Sequence, residues 1–124
     1  MQNLKTTATF DKEKNEFIIN TPSPDATKWW PGDMGRTANY ALVVARTLIP
    51  DDDGELNDYG LGLFLVQVRD LKTHRHMPGV KSGEIGSKFG YTSKDNGWMT
   101  FDNVRVTRDQ WLQRFVTIDE DGCF

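Results

Sequence analysis

Lys5-Thr6-Thr7-Ala8-Thr9-Phe10 and Glu16-Phe17-Ile18-Ile19-Asn20-Thr21 are two short β-favouring runs separated by a polar stretch, residues 11–15. Phe17 and Ile19 alternate with Ile18 and Asn20, the period of a strand that buries one face. The pattern predicts a β-hairpin, and the rest of the chain reads outward from it.

Pro22 and Pro24 punctuate the chain after the second run, and residues 27–30 fit a short strand. Residues 39–49 are rich in Ala, Val and Leu. Their β-branched content and the flanking Gly and Pro favour a long strand over a helix. Residues 50–58 form an acidic loop. Residues 61–68 are apolar on both faces, as expected of a strand near the middle of a sheet. Residues 80–85 fit a short strand and residues 89–97 a loop. Residues 98–106 alternate again, with Trp98, Thr100 and Asp102 against Met99, Phe101 and Asn103. Asp109 can cap a helix that starts near Gln110. Five to seven short strands at even spacing predict a single all-β domain, barrel-like or sandwich-like, with a short helical segment near the C-terminus. There is no repeat and no internal domain boundary.

The 124 residues suffice for one modest core. With 37% hydrophobic and 27% charged residues, the composition is that of an ordinary globular domain. A net charge of −3 leaves no basic footprint for nucleic acid. Neither terminus has a signal-peptide pattern, and no apolar run is long enough for a membrane-spanning helix. The one cysteine, Cys123, has no partner for an internal disulfide and no Cys cluster for zinc. The apolar residues of 110–116 want a partner, which suggests a domain cut from something larger.

Thr27-Lys28-Trp29-Trp30-Pro31-Gly32-Asp33-Met34-Gly35 is the unusual segment. Each tryptophan offers a large apolar face and one N–H donor. Pro31 fixes its φ, and Gly32 and Gly35 let backbone approach another group with no Cβ in the way. Two readings stand: a wall for a flat aromatic ligand, or a core tryptophan pair that ends at a turn.

Elsewhere the chemistry is thin. His74 and His76 would share a face if they lay on a strand, but no third metal ligand is obvious, and solvated loop histidines are the better reading. Asp51, Asp52, Asp53 and Glu55 lack the spacing of a calcium loop and read as a solvated tip. Gly83, Gly86 and Gly90 do not open a helix after a strand, so they read as turn glycines rather than a phosphate cradle. Ser23, Ser82, Ser87 and Ser93 have no nucleophile motif around them. These residues show no catalytic apparatus and no metal site.

Taken in order, several segments resemble the middle domain of the acyl-CoA oxidase family. They are Leu4-Lys5-Thr6-Thr7-Ala8-Thr9-Phe10-Asp11, Glu16-Phe17-Ile18-Ile19-Asn20-Thr21-Pro22 and Lys28-Trp29-Trp30-Pro31-Gly32. Downstream follow Asp58-Tyr59-Gly60, Met77-Pro78-Gly79-Val80, Gly83-Glu84-Ile85-Gly86-Ser87-Lys88-Phe89-Gly90, Asp95-Asn96-Gly97 and Asp102-Asn103-Val104-Arg105-Val106. The resemblance covers essentially the whole chain. Acyl-CoA dehydrogenases share the architecture but typically carry Trp-Ile-Thr or Trp-Ile-Ser where this chain has Trp29-Trp30-Pro31, which favours the oxidases.

The resemblance implies an FAD-dependent, usually peroxisomal enzyme of fatty-acid β-oxidation. It oxidises an acyl-CoA to the trans-2-enoyl-CoA and passes electrons to dioxygen, giving hydrogen peroxide. The full enzyme of that family is a dimer with helical domains on both sides of the β domain. Residues 1–124 would then be that β domain alone, without the catalytic glutamate. It is expected to be inactive by itself, with no catalytic residue in this chain. By the same match Gly32 contacts FAD through its backbone, with Trp30 and Pro31 beside the flavin. Asp33 and Met34 depart from the family's usual glycine and leucine. The other readings are an acyl-CoA dehydrogenase middle domain, and a non-catalytic β-sandwich in which Trp29 and Trp30 form a platform for a carbohydrate or peptide.

Overall fold

A computed structural model describes residues 5–32, 35–86, 89 and 95–112, with the side chains of Trp30 and Pro31 outside that description. The first two strands are the expected hairpin. β1 (Thr7–Asp11) pairs antiparallel with β2 (Glu16–Asn20), Asp11 opposite Glu16. Asp11 closes the loop by accepting the amides of Glu13 and Lys14, and Asn15 takes a φ of 56°. Short polar Asn is one of the few residues that enters this left-handed region readily.

β4 (Tyr40–Pro50) lies parallel to β1 on its other side, and β5 (Leu56–Gln67) returns antiparallel along β4. β8 (Val104–Thr107) pairs antiparallel with β2 and completes a five-stranded sheet of order β5-β4-β1-β2-β8. Arg105 on β8 reaches across the hairpin to Asp11 and Glu16. A second sheet of order β3-β7-β6 is formed by β3 (Lys28–Gly32), β7 (Asn96–Phe101) and β6 (Val80–Glu84).

One buried apolar cluster joins the sheets. Ala8, Phe10, Phe17, Ile19, Val43, Ala45, Phe64 and Val66 come from the larger sheet, and Val80, Met99 and Phe101 from the smaller. Phe17 is its aromatic hub, with ring centroids 5.1 Å from Phe10, 5.0 Å from Phe64 and 5.3 Å from Trp111. Trp111 therefore finds the apolar partner that its segment lacked in the sequence. Its backbone bridges Phe64, and the Leu112 amide donates to the Leu63 carbonyl.

Four expectations change. The all-β class holds, but no closed barrel forms among the described residues, which divide into two separate ladders. Residues 98–106 are two strands in different sheets, separated by a tight turn at Asp102 and Asn103, where Asn103 takes a φ of 50°. The alternation changes phase there, from buried Met99 and Phe101 to buried Val104 and Val106, a break that reading the run as one strand passes over. The apolar run 61–68 belongs to an edge strand rather than a central one, because among the described residues β5 has β4 as its one strand neighbour, with only the Trp111 bridge on its other side. Leu61, Leu63 and Leu65 face outward there. The predicted helix near Gln110 is a single 3-10 turn, Arg108–Gln110. Thr107 caps it rather than Asp109, and the Gln110 side chain accepts the Thr107 amide. Residues 113–116 lie outside the described residues.

The acidic loop is shorter than expected because the β4–β5 ladder runs out to Pro50 opposite Leu56. Asp51 accepts the amides of Asp53 and Glu55 and so folds the tip on itself.

Candidate functional site

β3 carries the segment that the sequence singles out, and it is irregular. Lys28 faces Met99 and Trp29 faces Trp98, but the next pair is Gly32 with Asn96. Trp30 and Pro31 together therefore oppose the single residue Gly97. This is a β-bulge, and it explains the proline: Pro31 has no N–H to give a ladder, and bulges and edge strands are where a sheet tolerates it. β3 is also an edge strand, so one row of its backbone groups points away from β7. Gly32 is exposed and pairs as a strand residue, so the ladder itself does not call for glycine there.

The two faces of β3 differ. Trp29 is 62% exposed. Its cross-strand partner Trp98 lies next to Gly83 of β6, and a Cβ at Gly83 would stand 2.7 Å from the Trp98 Nε1. The glycine makes room for the indole against the β6 backbone. Gly83 is thus a strand glycine and not the expected turn glycine, whereas Gly86 does take a φ of 86°. On the inner face Lys28 donates from Nζ to the Val44 carbonyl at 2.7 Å, and burial lowers the pKa of its ammonium. The lysine charge is thereby drawn away from the tryptophan face. The outcome lies between the two sequence readings: Trp29 is displayed rather than buried.

The turn at residues 35–38 follows the bulge and is tightly held. Arg69, nine-tenths buried or more, donates from Nη1 to the Ala38 carbonyl at 2.7 Å and from Nη2 to the Gly35 carbonyl at 2.9 Å. Nη2 also donates to Ser82 Oγ at 2.9 Å, and His76 Nε2 meets the same hydroxyl at 2.8 Å. Since Ser82 Oγ accepts from Arg69, its proton is free to point to His76, which then accepts as a neutral ring. His74 Nε2 contacts the Arg36 carbonyl, the Arg36 amide donates to Asp95, and the Arg36 guanidinium pairs with Glu84. A Cβ at Gly35 would stand 2.5 Å from Asp95 Oδ1 and 2.9 Å from Glu84 Cα.

The histidines therefore do not share a strand face; both are exposed in the β5–β6 connection, as expected, and each also meets a polar partner. His74 takes a φ of 60° and turns to Arg36, while His76 turns to Ser82. Among the described residues no three His, Cys, Asp or Glu side chains gather as metal ligands. Sequence reading missed Arg69 and set Ser82 aside as a serine without a motif. An arginine that follows an apolar strand reads as a surface charge until its burial is seen.

Trp30, Pro31 and Gly32 come together as the bulge and end of β3. Asp33 and Met34 lie outside the described residues. Two hollows among the described residues lie elsewhere. One, of about 350 Å3, lies between Gln67, Met77 and residues 103–106. The other, of about 200 Å3, lies beside Trp111, Tyr59 and Leu61. The bulged strand lines neither of these.

Residues 1–104 match the family model described as acyl-CoA dehydrogenase, middle domain. The whole chain is 43% identical to peroxisomal acyl-coenzyme A oxidase 1 of Pongo abelii and spans 18% of the length of that relative. Among solved structures it is similar to an acyl-CoA oxidase from tomato, with 46% identity and a TM-score of 0.89 over 98% of this chain and 18% of that one. It is also similar to acyl-CoA oxidase-2 of Caenorhabditis elegans, described as bound with FAD, ascaroside-CoA and ATP. The identity there is 44% and the TM-score 0.90, over 98% of this chain and 18% of the other.

Proposed function

Because the chain belongs to the acyl-CoA dehydrogenase middle-domain family, we propose that it is the β domain that forms one wall of the flavin site in an acyl-CoA oxidase. The observation that carries this reading is the bulged edge strand β3, with Gly32 exposed at its end and Trp29 displayed beside it. The residues present fit a flavin. An edge strand keeps backbone groups available, Gly32 has no Cβ to hold a ring system off, and the Lys28 charge is engaged elsewhere. Gly32 would hold the flavin through its backbone, with Trp30 and Pro31 alongside. Bound FAD supplies the two-electron redox chemistry that the side chains of this domain lack. Trp29 and Trp98 contribute apolar surface that excludes water from that side.

In this reading the longer protein oxidises an acyl-CoA to the trans-2-enoyl-CoA, delivers electrons to dioxygen and releases hydrogen peroxide. The catalytic base comes from a part of the polypeptide outside this chain, and no glutamate here takes that role. The two sheets correspond to the barrel-like middle domain of a homodimeric enzyme. Its place of action is the peroxisome, the compartment named for the Pongo abelii relative.

A dehydrogenase of the same architecture would need a protein electron acceptor. The extended identity to oxidases, 43% over the whole chain for the first of them, favours oxygen. The test is peroxide release from the longer protein supplied with FAD and an acyl-CoA in air. One peroxide per enoyl-CoA formed is expected, and none from this chain alone. Enoyl-CoA formed only with an added dye acceptor would assign the dehydrogenase. Peroxide from the isolated chain would overturn the missing-base argument.

A further inference from the structure

We propose that Arg69 is a positioning residue for the flavin strand, acting through the turn at residues 35–38; the proposal rests on the flavin reading of Gly32. Two of the guanidinium's partners are carbonyls of that turn, Gly35 and Ala38. The Arg69 backbone adds a third hold, its amide donating to Asn39, as does the amide of Val68. A further partner, Ser82, anchors the same side chain to β6, the far strand of the sheet that carries β3. One buried side chain thus ties the exit of β3 to the opposite edge of its own sheet.

The tether is short. Gly35 is three residues after Gly32, and three residues of fully extended chain span at most about 11 Å. The turn that Arg69 holds is therefore never farther than that from Gly32. The turn has little freedom of its own. Gly35 packs where no Cβ fits against Asp95 and Glu84, and Arg36 is held by both of those residues. An arginine suits the task because its planar fork reaches several acceptors in fixed directions, whereas a lysine ammonium is a single point. Ser82 and His76 complete the arrangement by setting the angle of the fork.

The test compares the longer protein with its Arg69→Lys, Gly32→Val and Arg69→Lys/Gly32→Val variants. It reads amide hydrogen exchange, the FAD dissociation constant and the absorption envelope of the bound flavin. Arg69→Lys is expected to speed exchange at residues 35–39 and at residues 28–32, to weaken FAD about tenfold and to alter the flavin envelope. The double variant should lose less affinity than the two single losses combined, because both act on the same contact. Arg69→Lys with wild-type exchange at residues 28–32 and an unchanged FAD constant overturns the proposal, whatever Gly32→Val does. If Gly32→Val leaves FAD binding intact, the flavin reading itself fails and the positioning role falls with it. Should Arg69→Lys not fold, Ser82→Ala removes the β6 anchor alone. The same exchange and envelope changes are then expected at smaller size, and their absence counts against the proposal.

Discussion

A Cβ on Gly83 would stand 2.7 Å from Trp98 Nε1, nearer than side chains approach. Gly83→Ala must therefore swing the indole away from β6 and disturb its pairing with Trp29. Overpacking of this kind costs about 1–3 kcal/mol. Urea unfolding should show the loss, and an unchanged midpoint would mean that the indole relocates freely. His76 sets a pH dependence at the same scale. Partial desolvation of its ring, then the charge of Arg69 and the neighbouring His74, hold its pKa below the ordinary 6.5. The folded state therefore binds this proton less readily than the unfolded chain does. The associated stability is complete above pH 6.5 and is lost as pH falls through 6.5 toward the folded value. The urea midpoint of the wild type should drop between pH 7.5 and 5.5 more than that of His76→Gln, which keeps an acceptor toward Ser82 without titrating. Equal drops would remove His76 from the account. Single residues divide sharply in how readable they were. The unusual side chains of the Trp-Trp-Pro-Gly run announce themselves. Ser82 and Arg69 look ordinary, because their meaning lies in partners 6 to 34 positions away.

β5 shows the same limit at the level of elements. Its run of apolar residues on both faces reads as a central strand, yet it ends the five-stranded sheet, with Leu61, Leu63 and Leu65 outward beside Leu42 of β4. Periodicity reports that both faces are apolar but not what covers the outer one. An exposed apolar ladder on an edge strand favours association. The isolated chain should self-associate at high concentration, and Leu63→Lys/Leu65→Lys should reduce this in sedimentation runs. Substitutions at such exposed sites shift stability by only about 0.5 kcal/mol each. Association unaffected by the two lysines would place the sticky surface elsewhere. The hairpin and the long strand after Asn39 were legible because local alternation and polar punctuation sufficed to define them. The split of residues 98–106 between two sheets was not recognised: the alternation changes phase at Asp102 and Asn103, which marks a turn but not which sheet the chain then joins.

For the whole molecule, the class was legible and the assembly was not. Strand-length alternation fixes an all-β chain, but the parallel pairing of β1 with β4 and the division into two sheets depend on contacts between distant segments. That division matters for function. It leaves β3 on an edge among the described residues, bulged at Trp30 and Pro31, the surface on which the proposed flavin reading rests. The most direct measurement is an FAD titration of the longer protein stripped of flavin, comparing wild type with Gly32→Val and following the quenching of flavin emission. The account predicts that the valine raises the dissociation constant at least about tenfold, equivalent to about 1.4 kcal/mol, while the flavin-free melting temperature stays as in the wild type. An unchanged dissociation constant would contradict it and detach the bulged strand from the flavin.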